Sequence, residues 1–493
     1  MTTQTVSSAG SGLVFVNTYT ANDTQQYIDC IVAAETQLES LFINAATINI
    51  TFDEVNQGNT GFRATNGWSY WTVSYSQLES VLPAADALPV TDPTGGHTFN
   101  IGIAYARMLG LTNYTPPTTD QTITLNTYYD WSYGQDVINA VEHELTEGVG
   151  MGRVGGLGDQ NSWWSVMDLF RYSAPGVRDF TDGRDGLTTY FSSNGDVLSS
   201  LSFNNQYNYS THVNMADVAD FTQPDVFGDT TPNTLSATDI AVMEALGWTL
   251  NPLVSQIQND HLAIARSALA LDQAAAIVTA ISAGTQTETQ YVNGLLSQVA
   301  DTTIPAVAVE ASMYGVTGTS AEITNLTANF LPAQIANAIS HGLNPQVYAC
   351  EVVGLAFAFG NETGSATFAN NFGPTNSSMP NTAAGDAALA TAACNTIFGA
   401  ASTANLVNVM KTFVSNWEAF YTPNGIPGNA TPTADQIDLA ARGAAWGDMV
   451  GIALANNLGP LSAQVVNFLE DAAQGTAVYG ASLVGQPIHQ PFA

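Results

Sequence analysis

Lysine is almost missing from this chain: one residue, Lys411, stands beside eight arginines and 42 acidic residues in 493 positions, for a formal net charge of −33. Nucleic-acid affinity comes chiefly from neutralising phosphates with a basic surface, and so acidic a sequence cannot assemble one. Nucleic acids and anionic membranes are therefore excluded as partners. Charge of either sign is scarce, with Asp, Glu, Lys and Arg at 10% against 45% hydrophobic residues. Disordered acidic chains are poor in aromatics, whereas Phe, Trp and Tyr make up 10% here, so the chain is expected to fold. Cysteine is scarce too. Cys30, Cys350 and Cys394 lack metal-type spacing and are too few for a disulfide framework, so at most one bridge is expected, Cys350 to Cys394. No apolar run reaches the roughly 18 residues of a spanning helix, and no membrane insertion is expected. The opening MTTQTVSSAGSG has no basic n-region, apolar h-region or cleavage site. These absences fit a cytosolic protein, yet an acidic composition poor in lysine and cysteine is also that of bacterial proteins secreted in one step.

What is present divides near residue 250. Residues 1–250 hold 27 acids, six basic residues and six of the eight tryptophans, whereas 251–493 hold 15 acids and three basic residues and are rich in Ala, Leu, Val and Asn. Two domains with different chemistry follow, with residues 1–12 as a flexible N-terminus. In the first half, strands are expected at 12–19, 46–52 and 122–126. Helices are expected at 23–42, 76–82, 99–109 and 135–150, and the mixture makes an α+β domain. The second half is helix-patterned almost throughout, including one long segment over 252–283. Two of its pieces, QVYACEVVGLAFAFG and DLAARGAAWGDMVGIALANNLG, resemble each other and each follows a Pro-containing turn. Two partial copies do not make a repeat protein.

One constellation carries chemistry: Val141-Glu142-His143-Glu144-Leu145-Thr146-Glu147. On a helix, His143 and Glu147 stand at i and i+4 and project from one face, where both can hold one ion. Imidazole nitrogen and carboxylate oxygen are both zinc ligands, and the adjacent Glu144 is the candidate general base for a metal-activated water. The pattern is HExxH with its second histidine replaced by glutamate. A solvated acidic helix face would give the same five letters. Apolar Val137, Ile138, Val141 and Leu145 instead mark a buried helix, which Gly148, Gly150 and Gly152 end abruptly.

Further on come Met151-Gly152-Arg153 and the string DLFRYSAPGVRD from Asp168 to Asp179, then Tyr190-Phe191-Ser192, Asp217, Asp220, Ala237-Thr238-Asp239 and Ala245-Leu246-Gly247-Trp248. Over roughly residues 13–250 the chain resembles the metzincin zinc proteases. It looks most like a bacterial family of secreted metalloprotease-like proteins that pair HExxE with this long block. The resemblance implies a zincin-like fold, zinc, a protein or peptide substrate, and a methionine-containing turn beneath the metal. It also implies a third ligand, for which Asp168 is preferred, with Tyr172 and a water as alternatives. Arg171 or Tyr172 would stabilise the oxyanion; equally, Arg171 would serve only to pair a carboxylate and Tyr172 only as a core aromatic.

The chain departs from the metzincin pattern in three places. Glu147 replaces the second histidine. Arg153 stands where the third belongs, and a guanidinium stays protonated and cannot ligate zinc. Gly148-Val149-Gly150 precede Met151, where the family runs directly into Met-Gly-Arg. Among the other histidines, His97 and His212 read as loop residues, and His261, His341 and His489 as structural. Asp179, Asp182 and Asp185, set among glycines, form an oxygen-rich loop suited to calcium, although the spacing is not that of an EF-hand. The helical half is similar to helical regions of surface-layer and adhesin-like proteins exported by type I systems, which implies secretion without a cleaved N-terminal signal and self-association through that half. Two functions remain open: a secreted zinc metalloendopeptidase, or a catalytically impaired relative serving in surface assembly.

Overall fold

A computed structural model describes residues 1–8, 10–60, 62–83, 88–111, 117–151, 164–180, 187–199, 237–314, 323–359 and 365–473. The chain forms two compact units, Met1–Ser255 with Ala270–Gln286, and Gln256–Leu269 with Thr287–Ala493. The architecture is mixed α and β, with a small sheet in the first half and a helical second half.

In the first unit, β1 (Thr2–Val6) is followed by β2 (Leu13–Tyr19), α1 (Gln25–Leu41) and β3 (Ala46–Val55). Residues 2–6, expected to be flexible, pair antiparallel with β2, so the terminus is tied down by sheet hydrogen bonds. The strands β2 and β3 are parallel, from Leu13↔Ala46 to Tyr19↔Phe52, and alternate buried with half-buried side chains. Parallel neighbours need a crossover, which α1 supplies. The Thr24 side chain caps that helix, and Tyr27, Ile31, Ala34, Leu38 and Leu41 line its buried face.

Next come β4 (Ala64–Trp68), β5 (Tyr70–Val73), α2 (Tyr75–Glu79), β6 (Phe99–Gly102), α3 (Ile103–Met108), β7 (Gln121–Asn126) and α4 (Gln135–Thr146). The main sheet has the order β1-β2-β3-β7-β4, with β7 parallel to β3 and β4 antiparallel at the edge. Sequence periodicity overlooks β4, whose residues Ala64-Thr65-Asn66-Gly67-Trp68 show no hydrophobic alternation. It also reads 99–109 as one helix, where the chain extends over 99–102 to pair with β5 before turning helical.

The DLFRYSAPGVRD block forms a 3-10 turn over Val166–Phe170 and then the strands β8 (Arg171–Ala174) and β9 (Val177–Arg178), joined by β10 (Tyr190–Phe191) in the order β10-β8-β9. The remaining helices begin with α5 (Ala237–Ala245), α6 (Pro252–Ala265) and α7 (Leu271–Ser282). The expected single helix over 252–283 is thus two, parted where Arg266 takes a positive φ of 60°. No glycine marks the break. In the first unit α7 packs on α1, with Ser40 and Thr279 hydroxyls hydrogen-bonded at 2.5 Å.

The second unit continues with α8 (Glu288–Gln298), α9 (Thr303–Tyr314), α10 (Leu331–Ser340), α11 (Pro345–Phe359), α12 (Ser365–Phe372), α13 (Ala383–Phe398), α14 (Ala404–Asn424), α15 (Ala434–Ala455) and α16 (Gly459–Ala473). The central helix is α15, buried at nearly every position from Asp438 to Leu454. The expected Cys350–Cys394 bridge is not formed. Both thiols are free and fully buried, one on α11 and the other on α13, and each of those helices packs on α15. Among the described residues, no single helix is long and apolar enough to cross a membrane.

Candidate metal centre on helix α4

The helix that carries HExxE is pinned at both ends. At its start, Asp136 accepts hydrogen bonds from the Ser132 backbone N–H (2.7 Å), the Ser132 hydroxyl (2.6 Å) and the Gly134 N–H (3.1 Å). Burial works to raise the Asp136 pKa, but these bonds outweigh it and hold the carboxyl below its usual range. Along the back, Val137, Ala140, Val141 and Leu145 are at most 1% exposed. Helix ends leave four carbonyls without intrahelical donors, and here side chains of the sheet supply donors to two of them. Asn66 on β4 donates to the Glu144 carbonyl and, at 3.0 Å, to the Gln121 side-chain oxygen. Gln121 on β7 donates in turn to the Leu145 carbonyl at 3.3 Å.

Beyond Thr146 the chain forms a wide turn over Glu147–Met151, broken where Gly150 adopts a φ of 125°. A side chain at Gly150 would be strained in that conformation and would press on the Tyr105 ring at 3.2 Å. A Cβ at Gly102 would overlap the Gly148 carbonyl oxygen, so β6 and the turn touch backbone to backbone. The Trp248 indole N–H closes the far side by donating to the Val149 carbonyl at 3.1 Å, while the Tyr105 hydroxyl donates to the Leu246 carbonyl at 2.6 Å. These are the residues of the Ala245-Leu246-Gly247-Trp248 motif. Against the same turn packs Val166–Phe170, with Met167 fully buried.

The outcome for the candidate ligands is specific. His143 Nε2 lies 3.8 Å from Glu147 Oε1, and both side chains are 12% exposed. Glu144 is 6% exposed and sits between them in the sequence on the same last turn. Two donors of the kinds zinc takes are thus brought together on one largely buried strip, at a separation that one ion bonded at about 2.0–2.2 Å to each can bridge with small side-chain shifts. Asp168 does not join them: among the described residues, no three His, Cys, Asp or Glu side chains form a group able to hold a metal. Its carboxylate accepts from the Ser165 N–H at 2.9 Å and lies 3.6 Å from Arg171 Nε, and both side chains are completely buried. Capping its own turn and facing a guanidinium hold Asp168 where it is.

Arg171, completely buried beside Asp168, also donates to the Thr189 hydroxyl at 3.4 Å. Tyr172 is 2% exposed beneath the Arg178 guanidinium, which lies 4.7 Å from its ring centre; burial is the main cause of its raised pKa. Asp179 is buried, whereas Asp182 and Asp185, the other two residues of the candidate calcium loop, lie outside the described residues. So do Gly152, Arg153, His212, Asp217, Asp220 and His489. His97 is exposed in its loop, and His261 and His341 each contact a backbone carbonyl at 2.9 Å through Nδ1.

Three contributors to the site escape a reading by motif. Asn66 and Gln121 act through helix-end carbonyls, and no spacing announces them. Tyr27 reads as an ordinary apolar position of α1. Its ring is fully buried, its hydroxyl has no hydrogen-bond partner among the described residues, and burial followed by Asp23, Glu144 and the Glu54–Asp53 pair holds its pKa well above normal. No protein-family model matches the chain, and no curated protein matches it either.

Proposed function

We propose that residues 13–250 are an exported zinc-dependent metalloendopeptidase of the metzincin kind, hydrolysing peptide bonds in protein or peptide substrates. The observation that carries the reading is the 3.8 Å approach of His143 Nε2 to Glu147 Oε1 on one strip of a helix whose other face is buried. Zinc held by that pair would supply a Lewis acid for the scissile carbonyl and for water. Glu144 takes a proton from the attacking water as its oxygen joins the carbonyl carbon, then delivers that proton to the amine nitrogen as the C–N bond breaks. The edge strand β4 runs beside this turn, tied to it by Asn66, and leaves one side of its backbone for an extended peptide. Arg171 and Asp168 act as a buried strut under the site, not on substrate. Calcium at the 179–186 loop and export through a type I system belong to the same proposal, with the helical unit as an accessory and self-association module.

A second reading, a protease-like domain that has lost catalysis and serves surface assembly, is favoured by the ligand set itself, since Glu147 and Arg153 stand where the metzincin pattern has its second and third histidines. Metal content and activity of the full chain separate the two. The enzyme reading expects about one zinc per chain, lost in His143→Ala, and cleavage of an unfolded protein substrate that falls at least 100-fold in Glu144→Gln. Equal cleavage by wild type and Glu144→Gln removes the enzyme reading; zinc without cleavage leaves the assembly one.

A further inference from the structure

The edge strand β4 starts in a cluster of aromatic rings. Phe62 and Arg63 lead into it, and Tyr128, Tyr129 and Trp131 follow its partner β7. One buried side chain assembles the cluster. Asn126, 0% exposed at the end of β7, donates through Nδ2 to the carbonyls of Gly58 (3.1 Å) and Phe62 (3.0 Å), and its Oδ1 accepts from the N–H groups of Gln57 (2.9 Å) and Tyr128 (3.1 Å). Its backbone carbonyl accepts from the Trp131 indole at 3.0 Å, and its N–H donates to the Arg63 carbonyl at 2.9 Å. The segments on either side of the strand pair are thus tied to a single residue.

The Arg63 guanidinium lies 4.4 Å from the Trp131 ring centre and 5.4 Å from that of Tyr129, and Tyr128 stands edge-on to Tyr129 at 5.3 Å. Phe62 and Tyr128 nevertheless remain 47% and 49% exposed. Large apolar side chains held in the open by a buried framework mark a contact surface.

What covers this surface follows from the strand beside it. The Arg63 carbonyl accepts from Asn126 and the Ser69 N–H donates to the Asp120 carbonyl, so the odd positions of this stretch face β7. Alternation turns the N–H and C=O groups of Ala64, Asn66 and Trp68 toward the open edge, since β4 is the last strand of its sheet among the described residues. Asn66 is also the residue whose side chain bonds the Glu144 carbonyl. A strand advances about 3.3 Å per residue, so an extended chain laid along this edge needs only about three or four residues to pass from Asn66 to Arg63 and Phe62. A carboxylate arriving there would meet Arg63, but also exposed Asp130 between Tyr129 and Trp131 and a net charge of −33. A ring meets Phe62 and Tyr128 face or edge and withdraws them from water.

We propose that Phe62, Tyr128 and the Arg63–Trp131 stack form a specificity subsite for an aromatic side chain of an extended peptide, about three or four residues from the bond that is cut. Its place beside a cut bond rests on the metalloendopeptidase reading; its affinity for a ring does not.

Binding is measured apart from cleavage. Fluorescein-labelled peptides of about ten residues, built from Thr, Ser and Ala with one central Phe, one central Leu or neither, are titrated with the full-length Glu144→Gln chain, which keeps them intact. The Phe peptide is expected to bind about ten-fold more tightly than the other two, and Phe62→Ser/Tyr128→Ser in the same background to abolish that preference. Equal affinity for the three peptides overturns the subsite, as does a preference that survives in the double variant. Should the double variant not fold by circular dichroism, Tyr128→Ser alone is put through the same comparison with the same criteria. Displacement of the Phe peptide by cellohexaose at lower concentration than by unlabelled Phe peptide would assign the surface to a glycan and overturn the peptide reading. Wild type digesting a library of peptides from denatured proteins is expected to cut about three or four residues from Phe, Tyr or Trp. Cuts without that preference overturn the subsite and leave the enzyme, whereas ring-dependent binding without any cuts removes the enzyme and leaves the rings as a peptide-binding surface.

Discussion

The side-chain amide of Asn66, on the edge strand, donates to the backbone carbonyl of Glu144, one residue from His143 and three from Glu147. A strand thus fixes the rotation of the turn that aims both candidate ligands. Asn66→Ala is expected to leave the fold in place but to weaken zinc binding about ten-fold, the low end of what outer-shell partners contribute. Competition against a chelator of known affinity measures this. An affinity equal to that of wild type would make the bond incidental to the site.

The HExxE helix was legible because one of its faces is apolar and its end is marked by glycines, so period and punctuation agree. Its relation to Asp168 was not. A carboxylate 21 positions further on looks like a ligand in one dimension, and only packing reveals that Ser165 and Arg171 already engage it. Strands β1 and β4 escaped because Thr2–Val6 is mostly polar and Ala64–Trp68 is half-buried without alternation; pairing with β2 and β7, not local pattern, makes them strands. The break between α6 and α7 was hidden for a related reason, since Arg266 adopts the left-handed conformation that glycine usually advertises. The likeness of 346–360 to 438–459 was visible in the sequence, whereas their mutual packing was not.

Glycines at two positions should respond oppositely to alanine. Gly102→Ala pushes a methyl into the Gly148 carbonyl, so β6 or the ligand-bearing turn must shift, and a loss of about 1–3 kcal/mol is expected together with weaker zinc binding. Gly294, inside α8, has nothing within 4 Å of a built Cβ, so Gly294→Ala should stabilise by about 0.4–1 kcal/mol through the unfolded chain. Denaturant titration of both variants measures the contrast; two changes of the same sign would contradict it.

Glu35 in α1 is fully buried and accepts a hydrogen bond from Asn17 at 2.8 Å. Burial raises its carboxyl from 4.5 to about 8, with Asn17 opposing and Glu39 adding to the shift. A raised acid makes the folded state hold the proton longer than the unfolded state. Its contribution is therefore complete below about pH 4.5 and declines toward pH 8, by at most about 1.4 kcal/mol per pH unit. Glu35→Gln keeps the shape without the charge, so its stability advantage over wild type should grow between pH 5 and pH 8. A difference that stays flat across that range would mean that Glu35 ionises as readily inside the protein as outside.

Arg442 joins two carboxylates and three carbonyls in the helical unit. Its side chain is fully buried; Nε reaches Asp438 at 2.9 Å, Nη2 reaches Asp386 at 3.0 Å, and the guanidinium also donates to the carbonyls of Phe372, Met379 and Pro380 at 2.8 to 3.0 Å. Three of those partners lie on the stretch from the end of α12 to the start of α13, so one side chain replaces secondary structure as the anchor of that connection. Burial raises Asp438 to about 7 even with Arg442 working to lower it. Arg442→Met would remove the compensation and strand two carboxylates and three carbonyls, and a loss of about 3–5 kcal/mol is expected, as for other broken buried pairs. Arg442→Lys should recover only part of it, because a single ammonium cannot meet five acceptors spread around a planar fork. Urea unfolding of the two variants orders them. If lysine restored full stability, charge alone would be what Arg442 supplies, and the geometry of its five hydrogen bonds would be dispensable.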